Sequence, residues 1–237
     1  MKRPFLTGMK DGIPIFLAYF FVSFGFGIMC KEVGLTSLAA TLMSATNLTS
    51  AGQVAGLGVI AAGGTLAEMA LTQFVINLRY SLMGVTLSQN LSPEFTPFKR
   101  MLFAFGITDE IFAVAASKRE PLRPVYCYGL MLLPILGWTA GTLTGTVAGE
   151  LLPADVTAAM GLLLYGMFIA IILSPTRENL PILITVLIAA ALSVLCYCFV
   201  PALSSGFSII VCSVISAAVM ALVRPVADEE PASEVAA

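Results

Sequence analysis

Hydrophobic positions along this chain form long unbroken runs. They show neither the alternation of a half-buried strand nor the single stripe of a surface helix. The first run extends from Ile13 to Cys30, and others follow at 36–62, 65–87, 101–116, 125–149, 157–173, 180–200 and 205–223. Most approach the roughly 20 residues that a helix needs to cross a bilayer. Eight such segments predict an all-α, polytopic helical bundle in contact with membrane lipid. Barrel strands are excluded, because the runs are too long and lack the dyad pattern of a lipid-facing barrel. The first run leads into Lys31-Glu32 without a small-residue cleavage pattern, so an uncleaved first span is expected.

Lys and Arg placement sets orientation. If all eight segments cross, Lys2, Arg3, Lys10, Lys118, Arg119, Arg123, Arg177 and Arg224 are cytoplasmic, and Lys31, Lys99 and Arg100 lie outside. An alternative lets 36–62 and 101–116 dip in and return, giving six crossings plus two re-entrant segments. That moves Lys99 and Arg100 inside and leaves only Lys31 out, which the positive-inside rule slightly prefers. Both termini are cytoplasmic in either case. Beyond Pro225, Asp228-Glu229-Glu230 and small residues predict a disordered acidic tail at 225–237, following a single transmembrane domain over 1–224.

Composition narrows the chemistry. Hydrophobic residues make up 58% of the chain and charged residues 11%, against globular averages of about 45–50% and about 25%. A net charge of −2 offers no basic field for nucleic acid. With no histidine, imidazole metal sites and Ser-His or Cys-His nucleophile pairs are excluded. Cys30, Cys127, Cys196, Cys198 and Cys212 lie in or beside apolar runs and read as small fillers. Cys196 and Cys198 point about 200° apart on a helix, so they cannot clamp one ion. There is no Walker-type phosphate loop, and no cofactor is expected.

Two segments are rich in small residues. Residues 34–64 intersperse Gly34, Gly52, Gly56, Gly58, Gly63 and Gly64 with Ala, Ser and Thr, and hold Asn47 and Gln53 centrally. Such a stretch suits either a helix unwound around a ligand or close helix packing. Gly137, Gly141, Gly145 and Gly149, spaced by four, form one smooth stripe that predicts close approach of another helix, from this chain, a second copy or a partner subunit. Pro134 is expected to kink that span one turn earlier.

Ionisable groups at hydrocarbon depth each cost a few kcal/mol, so four need explanation: Glu68, Arg79, Asp109 and Glu110. At about 100° per residue, Glu68, Thr72 and Arg79 share one face of the 65–87 helix, and Gln73 and Asn77 lie opposite. A helix polar on two faces must be wrapped by protein or line a cavity. Arg79 can pair internally with Asp109 or Glu110. The same charges complement a zwitterion, with Arg79 facing its carboxylate and Asp109 or Glu110 its ammonium.

Ala51-Gly52-Gln53, then Asn77-Leu78-Arg79 with Leu82-Met83-Gly84, then Thr108-Asp109-Glu110-Ile111-Phe112-Ala113, together with Phe24-Gly25-Phe26-Gly27, resemble the AzlC family in order and spacing over about residues 8–150. The family comprises bacterial inner-membrane proteins, the large subunits of branched-chain amino-acid exporters. The resemblance implies efflux of leucine, isoleucine, valine and in some members methionine, with a small AzlD-type membrane subunit as partner. Where the family usually shows an aromatic-Ala-Gly-Ser-x-Gln-Phe run, this chain reads Leu48-Thr49-Ser50-Ala51-Gly52-Gln53-Val54. The missing aromatics alter any pocket lined there.

The sequence therefore points to a gradient-driven secondary transporter subunit in which Gln53, Asn77, Arg79, Asp109 and Glu110 bind a small zwitterionic substrate. A non-transporting assembly subunit is the alternative. An intramembrane aspartyl-type enzyme ranks third, because its sole candidate pair, Asp109 and Asp155, places Asp155 near the interface.

Overall fold

The computed structural model describes residues 4–149, 151–176, 179–200 and 203–224. The tail expected at 225–237 lies outside the described residues. Among the described residues there are ten helices and no strand: α1 (Pro4–Glu32), α2 (Ser37–Thr46), α3 (Ala51–Ala61), α4 (Leu66–Ser88), α5 (Pro97–Phe105), α6 (Asp109–Ala116), α7 (Pro124–Ala148), α8 (Ala154–Thr176), α9 (Leu180–Phe199) and α10 (Ser205–Val223). Eight apolar segments become ten helices because 36–62 and 101–116 each break in the middle.

The core is the pair α1 and α7, which run parallel. Gly8 lies against Tyr126 and Leu130, and Gly27 lies against Thr142 and Thr146. Gly137, Gly141 and Gly145 press on the backbone carbonyls of Phe16, Phe20 and Phe24. Gly8, Gly12 and Gly27 of α1 return the contact on the carbonyls of Tyr126, Leu130 and Thr142, so two glycine-bearing faces interlock. Gly149, at the end of the stripe, faces Ile28 instead. α7 continues as a helix through Pro134, whose ring rests near Gly12.

α2 and α3 form a hairpin. Thr36 caps α2 by accepting from the Ala39 amide at 3.2 Å. The break follows from Asn47, whose Oδ1 accepts from both the amide (3.1 Å) and the hydroxyl (2.7 Å) of Thr49, offering the backbone an Asx turn in place of a helical one. Ser44 and Gln53, on either side of the turn, reach Thr142 and Trp138 in the middle of α7. α3 then returns to the end where it began, lining one cavity with Met29 and Val33 from the end of α1. Helices α1 and α3 both stop at left-handed glycines, Gly34 (φ +88°) and Gly63 (φ +65°), with the paired closing bonds of a Schellman motif.

α4 crosses back. Its 23 residues span about 34 Å, and the chain beyond it pairs Leu91 with Leu122 at the start of α7. From that end α5 and α6 form a second hairpin. Glu94 ties its base to Arg123 at 3.0 Å, and Tyr128 of α7 donates to the Lys99 carbonyl. Thr96 and Thr108 cap the two helices. The turn at Gly106 passes so close to Met131 that a Cβ would lie 2.6 Å from its sulfur. The hairpin then returns to its base, where Lys118 meets Asp11 of α1 at 2.7 Å. Two broken segments thus enter from opposite ends, and neither runs through the bundle. Segments 36–62 and 101–116 are therefore each a pair of short helices joined by a turn.

α8 packs on α1, α10 packs on α9, α4 and α3, and α9 has no buried residue. Helices α1, α7, α9 and Gly206–Val223 of α10 are long and apolar enough to cross a membrane. Large apolar side chains such as Leu66, Leu151, Tyr197 and Leu222 face outward, which suits lipid and not water.

Candidate functional site

α4 owes its position to its two polar faces. Thr65 caps it, accepting from the Glu68 amide at 3.1 Å. On one face Gln73 donates to the Gly52 carbonyl at 2.7 Å, just beyond the break in the first hairpin. Asn77 donates to the Gln73 oxygen at 3.2 Å and extends that chain. On the opposite face Arg79 meets the tip of the second hairpin. The helix is held between the two broken segments.

The tip of the second hairpin is a helix N-terminus. Thr108 accepts from the Ile111 amide, and Asp109 and Glu110 occupy the first turn, where the helix dipole stabilises carboxylates. Arg79 Nη1 lies 2.9 Å from Asp109 Oδ2, with the two side chains 34% and 22% exposed, so the pair is accessible and not sealed. Arg79 also donates to the Tyr80 hydroxyl at 3.3 Å and lies over its ring. Glu110 takes a hydrogen bond from the Tyr19 hydroxyl, which also lies 2.7 Å from Thr108 Oγ1. Two buried polar atoms of α4 have no hydrogen-bond partner among the described residues: Arg79 Nε, a free donor beside the ion pair, and Asn77 Oδ1, a free acceptor on the opposite face.

Gln53, expected in the same site, is committed elsewhere. It is completely buried; its oxygen accepts from Trp138 Nε1 at 2.7 Å and its amide donates to Ser44 Oγ at 3.1 Å. Ser44 continues to Thr142 at 2.7 Å. Trp138 stands edge-on to Tyr19 with ring centroids 5.3 Å apart, so the tips of the two hairpins meet through a Gln53, Trp138, Tyr19, Thr108 relay. Gln53→Leu leaves the indole and Ser44 short of partners in a dry interior. It is expected to cost about 1–3 kcal/mol and to lower the melting temperature of the purified protein, whereas replacement of exposed Gln89 leaves it unchanged.

Asp155 is exposed in the first turn of α8, while Asp109 is engaged by Arg79. The cysteines are free; Cys30, Cys127 and Cys212 are buried, Cys196 is half-buried and Cys198 exposed. Among the described residues no group of three or more Cys, Asp and Glu is placed to hold a metal ion. Sequence reasoning missed Tyr19, Tyr80 and Trp138. The sole tryptophan of the chain was the available signal, since a buried indole needs an acceptor.

The chain matches the family model described as AzlC protein over residues 14–152. It is 30% identical to the inner membrane protein YgaZ of Escherichia coli (strain K12), over 95% of this chain and 94% of that protein. An uncharacterized membrane protein of Archaeoglobus fulgidus is 29% identical over 71% of this chain and 74% of its own length. One of Helicobacter pylori (strain J99) is 24% identical over 74% and 78%. No solved structure matches. The matched span runs from α1 to just past α7 and contains both broken segments and the Arg79–Asp109 pair, and with these relatives it identifies a multi-pass membrane protein that belongs to the AzlC family.

Proposed function

We propose that this protein is the translocating subunit of a secondary exporter that moves branched-chain or other hydrophobic amino acids out of the cytoplasm. The observation that carries the reading is the meeting of two half-way helical hairpins, entering from opposite ends, beside an accessible Arg79–Asp109 pair. Transporters place substrate where interrupted helices expose N-termini and unwound carbonyls near mid-membrane. Here the N-termini of α3 and α6 supply the positive dipole ends and the Gly52 carbonyl lies at one break.

In this reading a zwitterion exchanges into the ion pair. Its carboxylate takes the Arg79 guanidinium, using the free Nε, and its ammonium takes Asp109, with Glu110 beside it; Asn77, on the opposite face of α4, lines the side toward the first hairpin. Each residue then keeps an opposite charge throughout, which avoids stranding either one in an apolar surround. Energy comes from an ion gradient, and the partner is a small AzlD-type membrane subunit in a bacterial inner membrane. An assembly subunit would need the same charges only for helix pairing.

With the termini cytoplasmic and both hairpins returning, Lys99 and Lys118 face the same side. Cysteines placed singly at these positions are expected to react with an impermeant maleimide from the cytoplasmic face only. Reaction from opposite faces would mean that 101–116 crosses. The charge-exchange reading is tested by melting the purified protein with leucine, isoleucine, valine and methionine, and with their amides and decarboxylated amines. Stabilisation is expected from the zwitterions alone. Equal stabilisation by the amides or amines would overturn a site that uses both charges.

A further inference from the structure

Among the described residues, the one deeply buried carboxylate that the substrate site does not use is Glu68, 4% exposed in the first turn of α4. Its Oε1 takes a hydrogen bond from the hydroxyl of Ser204, which is the N-cap of α10, and another from the Gly206 amide at 3.2 Å. It therefore closes the N-terminus of a helix more than a hundred residues away in sequence. Thr72, one turn along α4, is completely buried, and its hydroxyl has no partner among the described residues. That hydroxyl aims at the same point as the carboxylate: a Cβ on Gly206 would lie 2.6 Å from Thr72 Oγ1 and 2.7 Å from Glu68 Oε1. Gly64, just past the end of α3, covers the second carboxylate oxygen, Oε2.

These contacts give the carboxyl two satisfied states. As an anion it is held by the Ser204 hydroxyl, the Gly206 amide and the positive end of the α10 dipole. As a neutral acid it gains a proton to donate, and the Thr72 hydroxyl, one turn along the same helix and without a partner among the described residues, is the acceptor it would turn to. The groups recorded against it, Ser204 and Gly206 from α10 and Gly64 from the end of α3, are all uncharged. Asp109 differs, because a cation, Arg79, lies against it. Protonation of Glu68 also removes the charge that binds the α10 N-terminus to α4, at the end of the helix that carries Arg79.

We propose that Glu68 is the proton-carrying carboxyl of the transport cycle, with Thr72 as acceptor in its neutral state, and that its protonation loosens α10 from α4 and so links the gradient to movement around the substrate site. This rests on the exporter reading above, and two readouts separate the two. The first needs no substrate: infrared difference spectra of the purified full chain between mildly acid and mildly alkaline pH. A protonated-carboxyl band is expected that disappears in Glu68→Gln and shifts in frequency in Thr72→Val. A band that persists unchanged in Glu68→Gln overturns the assignment whatever the protein transports.

The second readout uses radiolabelled leucine, valine, isoleucine and methionine in proteoliposomes. Glu68→Gln is expected to lower uptake driven by a pH gradient at least tenfold and to flatten its pH dependence, while exchange at equal pH falls far less. Gradient-driven uptake by Glu68→Gln with wild-type pH dependence overturns the coupling role. Absence of uptake and exchange by the wild-type protein, with the infrared band present, instead overturns the exporter reading and with it the place of Glu68 in a transport cycle.

Discussion

Replacing Arg79 with alanine is expected to abolish amino-acid export, by a hundredfold or more, in protein that still reaches the membrane. Among the described residues the guanidinium is the only cation recorded against Asp109, and it faces an accessible space, so in the exporter reading both the substrate carboxylate and Asp109 lose their counter-charge. A single charge-assisted contact to a substrate is worth about 1.5–3 kcal/mol, and leaving Asp109 unpaired in a dry site adds to that. Asp109→Asn is expected to be milder, because an amide still accepts from Arg79. The double exchange Arg79→Asp with Asp109→Arg separates transport from assembly. Restored pairing is expected to recover the amount of folded protein without recovering export, since the substrate then meets each charge on the wrong helix. Recovery of full export by the exchanged pair would reduce these residues to a helix fastening.

The second large effect is expected in the α1 and α7 seam. A Cβ at Gly137 would lie 2.7 Å from the Phe16 carbonyl, and at Gly141 and Gly145 it would approach Phe20 and Phe24 more closely still. What it meets is backbone, which cannot rotate away. Overpacking costs about 1–3 kcal/mol where side chains can adjust, so Gly141→Ala and Gly145→Ala are expected at or above the top of that range. The seam carries the whole core, including Tyr19 and Trp138 of the relay, and its loss should appear as degraded or aggregated protein by fluorescence-detected size exclusion. Gly84→Ala, with nothing within 4 Å of the added atom, is the matched control and is expected to behave as wild type.

These features differ in how far the amino-acid sequence alone discloses them. The Arg79 pairing is legible because an arginine and two carboxylates at hydrocarbon depth have few other ways to offset their cost. The glycine stripe is legible for a similar reason: four small residues at helical spacing make a groove that only another backbone fills well. The breaks in 36–62 and 101–116 leave the hydropathy continuous, because Asn47 and Gly106 each interrupt a helix without making the run polar. Their signals are local, an Asx turn at Asn47 and a Thr cap at Thr108. Glu68 shows why some contacts stay hidden. Its partner includes a backbone amide at the start of α10, and a helix N-terminus carries no residue type that announces which carboxylate will close it. Gln53 was readable as a polar group in an apolar segment, but its pairing with Trp138 depends on the hairpin turning back at mid-bundle, which no periodicity encodes.

The transport claim is decided most directly by amino-acid efflux from cells preloaded with dipeptides containing leucine, valine, isoleucine or methionine, expressing this chain with and without a cognate small membrane subunit. Efflux of at least one of these amino acids is expected when both chains are present, falling to background when the proton gradient is collapsed and when Arg79 is replaced by alanine. Background efflux of all four, with both chains inserted and assembled, would contradict export of hydrophobic amino acids through the Arg79–Asp109 site.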